Sequence, residues 1–322
     1  MDVEELLTEL VAIPSVSGEE AELASFLADL LEGEGFDVER QRVEEGRSNI
    51  IATRGDPETV LTTHMDTVPG QPETGEDEDY IYGRGSCDAK GSMAAMITAA
   101  VETDVDDIAL VFDVGEEEDF AGIERLMERD WSPSLAVVGE PTRMERVVGQ
   151  KGLLTLELVA EGEPAHGSKP SEGVNAIERL IDAIDDLRAL QVEDPFFGDT
   201  RFNLALIEGG EADNVVPPSA EATVQFRTVC ENARILERAE SLPVTVTVRH
   251  DFEPRRFADA EGAVFPGFTE AFYWAGVADN AVLQGPGRME DAHTEDERVA
   301  KRQLKDAVAV YRQYLREGIV DE

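Results

Sequence analysis

The first 64 residues alternate between helical and strand-like hydrophobic patterns. Apolar side chains recur at helical spacing over 3–13 until Pro14, and a second helix is predicted from Ala21 to Gly33 or Gly35. Ser17 stands where an N-cap is expected and Glu20 follows three residues later, as in a capping box. Three strands are then predicted, over 36–43, 49–54 and 60–63.

The next stretch alternates helix and strand in the way that is typical of an α/β sheet. The run MAAMITAAVET at 93–103 predicts an amphipathic helix, and the continuous apolar run IALVFDVG at 108–115 predicts a buried strand. A further strand is predicted over 135–138. Ligands of α/β sheets bind at the ends of strands, so the residues that follow these strands are the first candidates for a functional site.

From Gly152 the pattern changes to longer alternating strands, typical of a sheet with one exposed face. Four strands are predicted in LLTLELVAEGE, FNLALIEGG, AEATVQFRT and LPVTVTVRH, with an amphipathic helix in VNAIERLIDAIDDLRAL. A brief helix, ENARILERAES, precedes the last strand. We therefore predict an inserted α+β lid with a four-stranded sheet over 152–255, and an α/β domain formed by 1–151 and 256–322. A C-terminal helix is predicted over about 296–316.

Length and composition indicate a folded protein of about two domains. The chain has 322 residues, of which 42% are hydrophobic, and this is enough for a large core. No window approaches the ~20 apolar residues of a membrane span, and the N-terminal MDVEELLTELVAI is acidic where a signal peptide is basic. Two cysteines, Cys87 and Cys230, are too few for a disulfide framework. We therefore expect a cytoplasmic protein.

Acidic residues outnumber basic residues by 70 to 28, which gives a formal net charge of −42. Such a field repels phosphate backbones and anionic lipids, so it argues against nucleic-acid and membrane partners. The acids are spread along the chain, which is typical of a solvated surface and not of a disordered tail. We infer a halophilic protein in a cytosol of molar salt, where the Debye length shrinks to about 3 Å.

The melting temperature should therefore depend on salt. We expect it to rise by several degrees from low ionic strength to molar KCl, because screening weakens the repulsion among carboxylates in the folded chain. Thermal unfolding followed by circular dichroism over a KCl series measures this. A chain that is fully stable at low ionic strength would rule out the halophilic interpretation.

The first candidate site lies in the stretch from 61 to 90. A hydrophobic strand runs into His64, Asp66 follows two residues later, and a glycine-framed turn, GRGSCDAK, presents Asp88. A neutral imidazole binds metal ions while a carboxylate orients its other nitrogen, and a carboxylate in a tight turn can bridge two cations. A His and an Asp at a strand end are, however, more often a surface pair. Cys87 is a further candidate ligand, but a small packing residue is the simpler interpretation.

Acidic residues follow the next two predicted strands in the same way. Glu116 and Glu117 lie in the run GEEED, and Glu140 lies in GEPT. Alone, the first would be a solvated loop and the second a turn. Because the pattern is repeated after three strands, we predict that these carboxylates converge with His64 at one edge of the sheet.

His293 follows a Gly-Pro-Gly loop, ahead of the predicted C-terminal helix. A lone histidine there would be a cap or a surface residue. Together with the residues above, it completes one histidine and two carboxylates for each of two metal ions. Mixed imidazole and carboxylate ligands suit Zn²⁺, whereas Mg²⁺ and Ca²⁺ seldom use histidine. We therefore expect two zinc ions per subunit, with Co²⁺ as a substitute.

Seven motifs in order carry a resemblance to a known family. They are HMDTVP, GRGSCDAKG, Glu116-Glu117 with Gly122 beyond, GEPT, AHGSKP with GVNAI, GGEADNVVP and AHTEDE. Together they resemble the M20 metallopeptidases, a family of co-catalytic zinc aminoacylases, deacylases and exopeptidases, over about Leu6 to Arg316. GRGSCDAKG and QGPG look most similar to the branch of acetylornithine deacetylases and carrier-protein-linked lysine or ornithine hydrolases.

The resemblance implies a zinc-peptidase-like catalytic domain with a central mixed sheet flanked by helices, plus a lid that also forms a dimer. It also implies the following metal ligands. One zinc would be held by His64, Asp88 and Glu140, and the other by His293, Asp88 and Glu117. Asp88 would bridge both ions and precede a cis peptide bond to Ala89.

The resemblance also implies which residue would take a proton from the attacking water and which would orient a metal ligand. Glu116 would be the general base, and Asp66 would orient His64. Because three glutamates are consecutive, the base and the ligand could instead be Glu117 and Glu118. The family spacing to Gly122, five residues past Glu117, favours the first assignment.

Three residues of the lid match family positions. His166, in AHGSKP, resembles the histidine that the smaller domain contributes to an active site, often across a dimer, and it would donate to the oxyanion. Without the resemblance it would be a loop residue. Asn214 and Arg227 match positions near the substrate carboxylate, which an arginine fork suits. Each could equally be a sheet-surface residue.

The implied reaction is amide hydrolysis by an activated water. Two cations that share a water lower its pKa from 15.7 towards ~7, and Glu116 takes the proton and passes it to the leaving amine. We expect deacylation of an N-acyl amino acid, such as an acetylornithine, succinyl or carrier-linked substrate, in arginine or lysine biosynthesis. A dipeptidase or carboxypeptidase is the alternative.

The sequence also allows other partners and other classes of function. A non-catalytic metal-binding protein is less consistent with the sequence, because Glu116 and all the ligands are present. We expect a homodimer through the lid. An acidic carrier protein as partner would need high salt to screen the repulsion.

Overall fold

A computed structural model describes residues 1–70 and 72–319 of the chain. The helices are α1 (Val3–Ala12), α2 (Ala21–Gly33), α3 (Lys90–Val101), α4 (Ala121–Leu126), α5 (Ala176–Arg188), α6 (Ala233–Glu240), α7 (Ala271–Trp274) and α8 (Lys301–Glu317). Among the described residues, no helix combines the length and the apolar character that crossing a bilayer requires.

The strands are mostly short in the N-terminal half and longer from β9 to β14. They are β1 (Asp37–Glu44), β2 (Arg47–Arg54), β3 (Thr59–His64), β4 (Gly75–Glu76), β5 (Tyr80–Tyr82), β6 (Ile108–Asp113), β7 (Leu135–Val138), β8 (Val147–Gln150), β9 (Gly152–Glu161), β10 (Glu193–Asp194), β11 (Gly198–Asp199), β12 (Arg201–Gly209), β13 (Ser219–Thr228), β14 (Thr245–Phe252), β15 (Arg255–Arg256), β16 (Ala263–Phe265), β17 (Asn280–Leu283) and β18 (Arg298–Ala300).

The chain divides into two compact units. The first unit comprises Met1–Val148, Arg256–Ala263 and the residues from Thr269 onward. The second unit comprises Gly149–Arg255 and Val264–Phe268. The strands predicted from the hydrophobic pattern are present in each unit, within a few residues of the expected bounds.

The central sheet of the first unit is mixed. Its strands follow the order β1-β2-β6-β3-β7-β17. Strand β3 is parallel to both β6 and β7, and β17 is parallel to β7, whereas β1 and β2 pair antiparallel. Because β3, β6 and β7 are parallel, the residues that follow them lie at the same edge of the sheet.

Helices flank this sheet. Helices α1 and α8 pack on α3, which contacts β3 and β6, while α2 and α4 contact β1 and β2. The prediction of an amphipathic helix after Asp88 was wrong, because α3 is buried from Lys90 to Ala100. It lies between the sheet and two other helices, so it has no face left for solvent. The C-terminal helix begins at Lys301, later than predicted, because Arg298–Ala300 instead pairs with β5.

The predicted capping box of α2 was also wrong. The residue at the N-cap is Glu20, which makes no side-chain cap, and α2 begins at Ala21. The Ser17 hydroxyl instead donates to Asp66 Oδ2 at 2.7 Å, and the buried Glu20 carboxylate accepts from Arg47 Nη2 at 2.7 Å. Partners distant in sequence therefore outcompete the local cap. A hydrogen bond in which the donor or the acceptor is charged is stronger than one between neutral groups.

The second unit is the four-stranded α+β domain that the sequence predicts. Its antiparallel strands follow the order β12-β13-β9-β14, and α5 and the brief helix α6 pack on one face. The core between sheet and helices includes Leu154, Leu156, Phe226, Leu180 and Leu187. Burial of each such side chain contributes about 1.5–3 kcal/mol. The alternate residues of β9 and β13 face away from this core.

Candidate active site

Three parallel strands deliver acidic and imidazole side chains to one edge of the first unit's sheet. His64 is the last residue of β3, Glu116 lies three residues past β6, and Glu140 lies two residues past β7. The side chains of His64 and Glu140 are buried, with 1% and 5% exposure. The predicted convergence of strand ends is therefore what the geometry shows.

Asp88 lies between the two histidines of the site. Its Oδ1 is 3.2 Å from His64 Nε2, and its Oδ2 is 3.4 Å from His293 Nε2. The peptide bond from Asp88 to Ala89 is cis. With one carboxylate oxygen directed to each imidazole, Asp88 has the arrangement of a bridging ligand.

Two glutamates complete the two sides of this arrangement. Glu117 Oε1 lies 2.8 Å from His293 Nε2, and Glu140 Oε1 lies 4.0 Å from His64 Nε2. The side chain of Glu118 is exposed. The geometry therefore favours Glu117 over Glu118 as the residue that faces His293.

The Asp66 carboxylate holds the loop of residues 115–119, here called the acidic loop, in place. Its oxygens accept hydrogen bonds from three consecutive backbone amides, at 2.9, 3.1 and 3.2 Å, those of Gly115, Glu116 and Glu117. The Ser17 hydroxyl also donates to it. Sequence reasoning missed both contacts, because the capping-box spacing indicated a different role for Ser17 and the direction of a loop's amides is not visible in a pattern.

His64 is oriented by a backbone carbonyl and not by the Asp66 carboxylate. Its Nδ1 lies 2.9 Å from the carbonyl oxygen of Asp66, whereas the nearer carboxylate oxygen is 3.6 Å away. A carbonyl only accepts, so Nδ1 carries the proton and donates. Nε2 is then the nitrogen that faces Asp88. Residue 66 therefore orients His64 as expected, but with its main-chain carbonyl and not with its side chain.

The electrostatics of the cluster are those of a site built for cations. Burial raises the pKa of Glu116 to about 8 and raises the pKa of Glu140 well above its usual value, and neighbouring carboxylates add to both effects. The pKa of His293 rises to about 10, chiefly because it hydrogen-bonds Asp88. Burial alone would raise the pKa of Asp88, but the two imidazoles outweigh it and lower that pKa. Without metal, the cluster therefore binds extra protons.

The donor set fits a divalent metal ion. Ligands about 2.0–2.2 Å from a tetrahedral zinc lie roughly 3.3–3.6 Å from one another. The closest donor atoms here are 2.8 to 4.0 Å apart. Among the described residues, His64, Asp88 and Glu117 offer donor atoms that all lie within 4.8 Å of each other, a group that takes ligands from both of the expected metal positions. Cations at these positions would replace the protons that the cluster otherwise takes up.

Two of the predicted lid residues are neighbours within the second unit. His166 pairs with Val215, beside Asn214, and the amide of Gly167 donates to the Asn214 carbonyl at 2.7 Å. His166 is exposed, and its Nδ1 accepts from the Ser168 amide at 3.2 Å. Nε2 is thus the protonated nitrogen of the neutral ring and is available as a donor.

Arg227 lies on β13, next to Phe226, which packs in the core of the second unit. Its side chain faces the opposite side of the sheet. Within the described range, Nη1 is buried and makes no hydrogen bond, and burial lowers the pKa of the guanidinium. A half-buried guanidinium whose Nη1 is unpaired can donate hydrogen bonds to an anion.

A comparison with protein families matches residues 60–317 to the Peptidase family M20/M25/M40. The chain belongs to this family. A probable carboxypeptidase from Aspergillus oryzae is 33% identical over 368 residues, covering 95% of this chain and 88% of the relative. The chain is therefore a hydrolase that acts on amide bonds, and the M20 resemblance drawn from the motifs is confirmed. The finer assignment to the acetylornithine deacetylase branch is not confirmed.

Solved structures of M20 proteins share the fold. A tripeptidase from Staphylococcus aureus superposes with a TM-score of 0.81 at 23% identity and covers 97% of this chain and 96% of that one. A Bacillus subtilis protein, described as a dinuclear metal binding peptidase from the M20 family, has a TM-score of 0.72 at 15% identity, with coverage of 97% and 96%. These likenesses confirm the predicted architecture of a mixed central sheet with a separate four-stranded sheet.

Proposed function

We propose that this M20 protein is a two-zinc exopeptidase that removes the C-terminal residue of small peptides. The observation that carries the proposal is the position of Asp88, whose two oxygens face His64 and His293 at 3.2 and 3.4 Å. An arrangement with a shared carboxylate suits two ions that act on one amide. The carboxypeptidase name of the Aspergillus relative supports a peptide as the substrate.

The metal ligands of the proposed enzyme are five side chains. His64, Asp88 and Glu140 would hold one zinc, and His293, Asp88 and Glu117 would hold the other. Ions held there would supply Lewis-acid polarisation of the amide carbonyl and would lower the pKa of a water at the site towards ~7. Cobalt would serve as a spectroscopic substitute, because imidazole and carboxylate ligands also bind Co²⁺.

Glu116 acts as the general base in this proposal. It is held beside the ligands by the hydrogen bond from its own amide to Asp66, at 3.1 Å. From there it takes a proton from the attacking water and passes it to the leaving amine. His166, through Nε2–H, would donate to the oxyanion that develops on the amide carbonyl.

Arg227 supports a substrate with a free carboxylate. Its Nη1 makes no hydrogen bond within the described residues, and in a protein of net charge −42 such a cation is the natural place for a substrate carboxylate. Asn214 would donate to the same end of the substrate. A C-terminal peptide residue and an N-acyl amino acid both present this group.

N-acyl amino acid deacylation is the second candidate. The GRGSCDAKG and QGPG motifs favour it, since they resemble the acetylornithine deacetylase branch. Both reactions use the same ligands and base, so the acyl side of the substrate is what distinguishes them. A carrier-linked lysine or ornithine would belong to this second candidate, and so would a place in amino-acid biosynthesis.

A substrate panel tests the proposal. In molar KCl with Zn²⁺ or Co²⁺, we expect dipeptides and tripeptides to be hydrolysed with higher kcat/KM than acetylornithine, acetyllysine or succinyl-diaminopimelate. Release of the free amino acid is measured by chromatography. We also expect Arg227→Gln to lower kcat/KM about 10- to 100-fold, the loss of one or two hydrogen bonds to a charged group.

A C-terminally amidated peptide is the matched control. The wild type should lose as much activity on it as Arg227→Gln loses on the free acid, and the variant should lose little more. Faster turnover of N-acyl amino acids than of any peptide would establish the second candidate. If every substrate in the panel remains intact with metal bound, the hydrolytic proposal fails.

A further inference from the structure

Glu297 is a buried carboxylate that the proposed reaction does not use. Its side chain is 1% exposed, although most carboxylates of this acidic chain can remain in water. Burying a carboxylate is unfavourable unless charged and hydrogen-bonding partners offset the loss of water. Its burial therefore requires specific partners.

Those partners all belong to the turn that presents Asp88. Glu297 Oε1 accepts from the backbone amides of Cys87 and Asp88, each at 3.2 Å, and Oε2 is paired with Arg84 Nη1. The Glu297 carbonyl accepts from the Gly83 amide at 3.0 Å. One residue, more than 200 positions away, thus holds both ends of this turn.

Arg84 extends the contact to the loop that follows β3. Its Nε donates to the Gly70 carbonyl at 3.3 Å and its Nη2 to the Pro69 carbonyl at 3.4 Å. This loop contains Asp66, whose carboxylate anchors the amides of the acidic loop. The Arg84–Glu297 pair therefore connects two of the segments that build the site.

Glu297 also lies four residues after His293, on the same loop. Its hydrogen bond to the Asp88 amide therefore ties the segment that carries one histidine to the turn that carries the bridging aspartate. The distance from Asp88 Oδ2 to His293 Nε2, 3.4 Å, depends on the relative placement of these two segments. Few rotamers are open to an aspartate once its backbone is fixed.

We propose that Glu297, held by Arg84, is the positioning residue of the metal centre, and that it sets the direction in which Asp88 bridges. The proposal rests on the proposed two-metal function. Residues behind metal ligands typically change metal affinity or activity 10- to 100-fold when they are replaced. Glu297 never contacts substrate in this account, and it acts through the placement of Asp88 relative to His293.

The test is a metal titration of Glu297→Gln, a substitution that keeps the size of the side chain and removes its charge. With Co²⁺ followed by visible absorbance, and Zn²⁺ in competition with a chelator, we expect at least one ion to bind about 10- to 100-fold more weakly than in the wild type. We expect kcat for a dipeptide to fall by a similar factor, with KM little changed. Glu295→Gln, an exposed acid on the same loop, is the matched control and should behave like the wild type.

Four outcomes separate this inference from its alternatives. Wild-type affinity for both ions in Glu297→Gln would overturn it, and a lower melting temperature of the metal-free chain without loss of affinity would show a merely structural role. If Glu297→Gln does not fold, Arg84→Gln is tested in its place, and the same loss of metal affinity is expected. Wild-type metal affinity in Arg84→Gln would overturn the inference. A wild type that binds no divalent ion would instead refute the proposed function itself.

Discussion

Replacing Glu116 by glutamine is expected to lower kcat about 10²- to 10⁴-fold, the range that a general acid–base residue contributes. Glutamine preserves the size and the backbone contact to Asp66 but cannot accept a proton from water. Because Glu116 is not among the proposed ligands, the stoichiometry of bound Zn²⁺ should remain two per chain. Steady-state hydrolysis of a dipeptide and metal analysis of the purified variant measure both quantities.

Glu118→Gln is the matched control for this substitution. Its side chain is exposed, two residues along the same loop, and its loss should leave kcat unchanged. If Glu118→Gln instead removed metal while Glu117→Gln abolished turnover and left metal bound, the base and the ligand would be Glu117 and Glu118. Turnover by Glu116→Gln at the wild-type rate would exclude Glu116 as the base.

Part of the candidate site could be predicted because it follows from a rule about strands. Parallel strands end at one edge of a sheet, so His64, Glu117 and Glu140 had to be neighbours once the strands before them were recognised. Asp88 and His293 do not follow from this rule. Asp88 was expected from its glycine-framed turn and His293 from the count of ligands, and the motif resemblance supported both, since each lies in a loop whose path the hydrophobic pattern does not define.

The supporting contacts could not be predicted, because they depend on tertiary geometry. Ser17 and Glu20 have the spacing of a capping box, but each has a partner far away in sequence that binds it more strongly than a helix end. The alanines of α3 are compatible with exposure or burial, and only the surrounding helices decide between them. Glu297 looks like one acid among 70 until its two amide partners are seen.

The sequence pattern likewise does not predict the pairing of Arg47 with Glu20, a buried ion pair of the first unit. Arg47 is 5% exposed and Glu20 is fully buried, and Nε and Nη2 of the arginine both donate to the carboxylate, at 2.7 to 3.2 Å. The guanidinium also lies 3.7 Å from Asp119, and a side chain at Gly115 would come within 2.9 Å of it. The pair therefore lies directly beneath the acidic loop.

Replacing Arg47 by methionine should destabilise the first unit by about 3–5 kcal/mol, because Glu20 is then left buried without a countercharge. Both tryptophans of the chain, Trp131 and Trp274, lie in this unit, so their fluorescence during urea unfolding in molar KCl reports its stability. The double variant Arg47→Met, Glu20→Leu should recover most of the loss, since an apolar pair of similar volume replaces the ions.

Arg40→Met provides the matched control for that experiment. Arg40 pairs with Asp29 at 3.2 Å in the same unit, but both side chains are exposed, so its loss should cost no more than about 1 kcal/mol. Equal losses for Arg47→Met and Arg40→Met would mean that burial adds nothing to the Glu20 pair. A double variant less stable than Arg47→Met would mean that Glu20 contributes through the Gly18 amide, which donates to it at 3.0 Å, and not through its charge.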